Sequence, residues 1–178
     1  MAEDPLGAVH SYVERAYIRL QAGDLLLHCL EEGNLSSLQQ LVESLVLAGP
    51  QNIITLQEIL AETAQRRTQI LDDYHQVLAE FKKSLKELGI NPSGLQELDQ
   101  IEQITAMQFL GMLRQQDIHD EKIQIACLQR LQETKEMISG LTDQIRLLAE
   151  IEKYLRDWLW GLAYQSTQEA PDDQPIHH

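Results

Sequence analysis

Long apolar runs are missing from this 178-residue chain. No stretch reaches the roughly 18 consecutive apolar residues that a membrane-spanning helix needs. Nor does the N-terminus carry a basic segment followed by an apolar one. The expectation is a soluble cytoplasmic protein with no membrane insertion. Aromatic residues are only 5% of the chain, while Gln, Leu, Glu and Ile are abundant, which disfavours a sheet-rich fold and favours helices.

Cysteine is scarce as well. Cys29 and Cys127 stand far apart without a CxxC pair, so neither a disulfide framework nor a thiolate metal site is expected. Both should be buried free thiols. Basic residues are outnumbered, 14 Lys and Arg against 28 Asp and Glu, giving a net charge of -14 and a pI near 4.7. That balance argues against nucleic acid as the main partner, because phosphate binding needs clustered cations. The one local group of bases, Arg66, Arg67, Lys82, Lys83 and Lys86, alternates with Glu62, Asp72, Asp73, Glu80 and Glu87. Such alternation describes a solvated helix face.

Catalytic patterns are missing too: no Gly-rich phosphate loop, no GxSxG, no HExxH and no ExxH. Asp24 with His28 and Asp72 with His75 have helical spacing, but they lie beside the apolar seams rather than within them. No metal, no cofactor and no enzymatic activity are expected.

What the chain does have is heptad periodicity. From Cys127 to Leu162, apolar residues recur at steps of three and four, with Leu131, Ile138, Ile145 and Leu159 in one column and Cys127, Leu141, Leu148, Leu155 and Leu162 in the other. Only Thr134 and Glu152 interrupt this seam, which must be buried against other helices. Leu128, Met137, Ile151 and Trp158 widen it beyond what two helices need.

Earlier in the chain, Asp4-Pro5 opens a helix expected to run to about residue 32, with Leu6, Val9, Val13, Ala16, Leu20, Leu27 and Leu30 in its column. Gly23 falls in that column and suits close approach of a neighbour. Gly33 and Asn34 separate it from a short second helix that stops at Gly49-Pro50. Thr55 and Glu58 have capping-box spacing, with Ile54 and Ile59 placed as a hydrophobic staple. The third helix then runs to Leu88, and Gly89 and Pro92 end it. A fourth pattern runs from about Ser93 through Leu113, and register kept across residues 114–120 favours continuity or a mild kink over a turn. If helices three and four form a hairpin about residues 90–92, Arg67 faces Asp117, and the two polar intruders should form a salt bridge with each other or through Asp120.

The fold expected is all-α: an elongated antiparallel helical bundle of four to five helices with coiled-coil-like seams. A single domain is expected over residues 1–164, followed by a disordered acidic tail over 165–178. The functional expectation is a non-enzymatic interaction module, an adaptor, assembly factor or small chaperone, that holds another protein and self-associates as a homodimer. A ligand- or metal-binding bundle with a catalytic role is the alternative. Trp160 and Tyr164 point away from the last seam and, with Gly161 between them, form the candidate docking corner. Cover by the N-terminal helix, through Tyr12 and Tyr17, would instead make them core.

Overall fold

The computed structural model describes residues 5–94 and 98–169, which form five α-helices and no strand. The helices are α1 (Pro5–Glu32), α2 (Ser36–Ala48), α3 (Ile53–Glu87), α4 (Ala106–Gln115) and α5 (Glu121–Glu169). The fold is an all-α bundle in which long helices pack in pairs. It divides into two compact units, residues 1–67 with 146–178 and residues 68–145, and both α3 and α5 contribute to each.

In the first unit α1 is unbroken through Gly23, and α2 buries Leu38, Val42 and Leu45 at steps of four and three. The start of α3 buries Leu56 and Ile59, and the end of α5 buries Leu148, Ile151, Leu155 and Leu162. One expectation fails at the entry to α3. The helix begins at Ile53, directly after a 3-10 turn at Pro50–Asn52, so Thr55 is already inside it and buried. The Asn52 side-chain amide donates to the Leu45 carbonyl at 2.9 Å and ties the turn to α2. Glu58 faces Arg19 of α1 at 3.3 Å, and Ile54 lies in solvent, so neither capping box nor staple forms.

The second unit has one apolar cluster, built by Leu78, Phe81 and Leu85 of α3, Phe109 and Leu113 of α4, and Cys127, Leu131 and Ile138 of α5. Phe81 and Phe109 meet with ring centroids 6.2 Å apart. Helix α3 ends on Gly89 at φ 84°, with the Ile90 amide returning to the Leu85 carbonyl at 2.9 Å. This is a Schellman turn, and it drops Ile90 into the cluster.

A continuous fourth helix does not form. Two short 3-10 segments, Pro92–Gly94 and Leu98–Gln103, precede α4, and Leu95, which the helical pattern had included, lies outside the described residues. Thr105 starts α4 with a reciprocal capping box: its hydroxyl accepts from the Gln108 amide at 3.1 Å, and the Gln108 side chain accepts from the Thr105 amide at 3.0 Å. Residues 116–120 are a true turn. Asp117 adopts φ 61°, its amide reaches the Arg114 carbonyl, and the Ile118 amide reaches that of Leu113, each at 3.0 Å. The turn repeats the Gly89 geometry with an Asp in the left-handed position. Register survives it because Ile118 packs on the cluster and Asp120 restarts a helix, its carboxylate accepting from the Lys122 amide at 2.8 Å.

Side chains fasten the connector. Gln116 both accepts from the Asn91 amide (3.1 Å) and donates to the Asn91 carbonyl (2.9 Å). Lys135 of α5 donates to the Ile104 carbonyl at 2.7 Å, and Thr142 to the Glu102 carboxylate at 2.5 Å. Residues 165–169 continue α5, and the remainder of the expected tail, 170–178, lies outside the described residues, as does Asp4.

Candidate interaction site

The last turns of α5 carry Trp158, Trp160 and Tyr164 on two different faces. Trp158 is half-buried and meets Tyr154 edge-on, with ring centroids 6.4 Å apart and planes at 88°. Burial pushes the Tyr154 phenol above its ordinary pKa, and nearby Glu43 acts in the same direction. Trp160 and Tyr164 are one turn apart and therefore lie side by side. They are 74% and 64% exposed. Gly161 is exposed too, and a methyl group placed on it would meet nothing within 4 Å. The described part of the chain thus leaves all three open, and α1 does not bury the aromatic pair.

The same unit holds an ion pair with one deeply buried member. Arg67 of α3 grips Glu152 of α5 with two donors, Nε to Oε2 at 2.5 Å and Nη2 to Oε1 at 3.3 Å. The Glu152 side chain is 4% exposed and that of Arg67 38%. Asp117 therefore does not serve as the partner of Arg67. Its carboxylate stands in solvent 3.8 Å from His119, in the turn that replaces the continuous helix on which the hairpin register depended. Both members of the real pair are visible in the sequence as polar intruders in apolar seams. What joins them is the pairing of α3 with α5, where the hairpin reading had paired helix three with helix four.

Among the described residues, no group of three or more His, Cys, Asp or Glu side chains gathers as a metal would require. His28 lies 3.7 Å from Glu31 on the surface of α1, and His75 packs edge-on to Tyr74. Cys29 and Cys127 are buried free thiols whose pKa values desolvation raises.

The chain matches no protein-family model, no curated protein and no solved structure. The functional reading therefore rests on its own residues. No helix among those described is long and apolar enough to cross a membrane.

The second exposed apolar surface of this unit is on α1, and it overturns the helix's expected seam. Ala22, Leu26 and Cys29 are the fully buried side chains, whereas Val13, Leu20 and Leu27 of the three-four pattern, with Tyr17 beside them, are between 46% and 73% exposed. Nine residues, two and a half turns, separate Val13 from Ala22 and Leu20 from Cys29, so α1 is apolar on two opposite sides. No feature of the sequence says which stripe is inside. The smaller one, Ala22 and Cys29 about Leu26, is the one whose bulk lets α1 approach its neighbours.

Proposed function

We propose that this chain is a non-enzymatic helical interaction module, of the adaptor, assembly-factor or small-chaperone kind, that docks another protein on the Trp160–Tyr164 corner of α5. The observation that carries the reading is the paired exposure of these aromatic side chains on a helix whose opposite face is anchored in a core. Trp and Tyr give large contact areas with few rotatable bonds, and a rigid helix presents them without an ordering cost. Self-association belongs to the same reading, because the broad apolar stripe of α5 leaves Met137 54% exposed.

A Trp160→Ala, Tyr164→Ala variant tests the proposal. Its melting temperature should stay within about 1 °C of the wild type, since exposed positions contribute little to stability. In quantitative pull-downs from the source cells, proteins retained by the wild-type chain should be lost by the variant. Unchanged retention, or a fall of several degrees in melting temperature, rejects the corner as a docking site. Size-exclusion chromatography with light scattering that gives a monomer mass at high micromolar concentration removes self-association.

A further inference from the structure

Helix α1 spends one apolar side on its own core and leaves the other in water. Val13, Tyr17, Leu20 and Leu27 expose on the order of 500 Å² together, the size at which a surface patch on a monomer is often functional and more than half of one partner's share of a standard interface. The four recur at helical spacing over 15 residues, so what they fit is a second helix lying along α1. A trough of ≈ 450 Å³ runs beside the stripe, lined by Ala16, Leu20, Gly23 and Asp24 of α1 and by Glu62 and Arg66 of α3. At Gly23 a β-carbon would stand 3.5 Å from the Arg66 guanidinium, so the missing side chain leaves the trough open.

Charge decides the occupant. The cations beside the stripe are already engaged, Arg19 by Glu58 and Arg66 by Glu62, each at 3.3 Å. Asp24 falls within the stripe, and Glu31 continues its spacing one turn beyond Leu27; both are exposed. A second copy lying on this face would set these acids against their own kind. A cationic partner gains where a copy loses.

We propose that this face of α1 binds an amphipathic helix of a partner protein that carries Lys and Arg along the edges of its apolar stripe. The inference rests on reading the chain as an interaction module, but it uses a different helix from the Trp160 corner.

The test uses the full-length protein and two labelled helical peptides of about three heptads, with the same leucine stripe and flanks of either lysine or glutamate. Fluorescence anisotropy should show the lysine peptide binding and weakening in about 0.5 M salt, and the glutamate peptide not binding. Leu20→Ser with Leu27→Ser keeps the charge and should weaken the lysine peptide at least about tenfold, with the helical circular dichroism signal unchanged. Trp160→Ala should bind it as the wild type does. Several results overturn the proposal: binding of neither peptide, equal binding of both, or binding indifferent to the two serines. So does a wild-type dimer that the serines convert to monomer, which makes a second copy the occupant. Loss of binding in Trp160→Ala alone moves the site to α5, overturning this inference while sparing the interaction reading. Failure of the corner with α1 binding intact does the reverse.

Discussion

Replacing Arg67 by methionine should be among the most damaging single changes on α3, although the residue is 38% exposed. The reason lies with its partner. Glu152 is 4% exposed and takes both its oxygen contacts from this guanidinium, so the variant strands a carboxylate inside an apolar seam. Breaking a buried pair from one side costs about 3–5 kcal/mol, and the exposure of Arg67 argues for the lower figure, about 3 kcal/mol. At this chain length that lowers the melting temperature by about 6–12 °C. The reverse change, Glu152→Met, leaves an arginine that can swing into water and should cost under about 1 kcal/mol. The double variant should return to within about 1 kcal/mol of the wild type, since a methionine pair fills the seam without desolvating charge.

Urea unfolding of the four proteins closes this cycle. Single-variant losses that simply add would refute the reasoning.

Two further outcomes follow from the local geometry. Asp117 holds a left-handed conformation that glycine adopts without steric cost, so Asp117→Gly should raise the unfolding free energy by about 0.5–1 kcal/mol; destabilisation would mean that the carboxylate beside His119 matters more than the turn. Cys29 and Cys127 should resist alkylation in the folded protein and react fully in urea, and because their folded pKa values lie above 9.0, the stability they confer is complete below that pH and declines as pH rises through the folded values. Equal alkylation rates with and without urea would contradict their burial.

The α5 seam was legible because its columns are long: Cys127, Leu131, Ile138, Leu148, Leu155 and Leu162 are all buried. Gly89 was legible for a different reason, since a glycine followed by proline three residues later marks a helix end whatever packs on it. The turn at Asp117 was not, because a Schellman turn filled by an aspartate has no signature residue, and the apolar Ile118 that docks it kept the heptad in step. Helix α1 misled for a third reason. Periodicity reports that a stripe is apolar, and burial depends on which neighbours arrive, which a single helix cannot encode. The Trp160 corner could be located from spacing alone, whereas its exposure needed the placement of every other helix. Arg67 and Glu152 were each conspicuous, but pairing them required knowing that α3 lies against α5.

The division of the bundle has a consequence for how the chain acquires its structure. Residues 68–145 are contiguous, so every contact within that unit is available once residue 145 has been synthesised. The other unit joins residues 1–67 to 146–178 and is incomplete until the last helical turns have been made. Synthesis at about 5–20 residues per second makes that interval a matter of seconds, long compared with helix formation. During it, the inner stripe of α1 has α2 to pack on but lacks the rest of its unit.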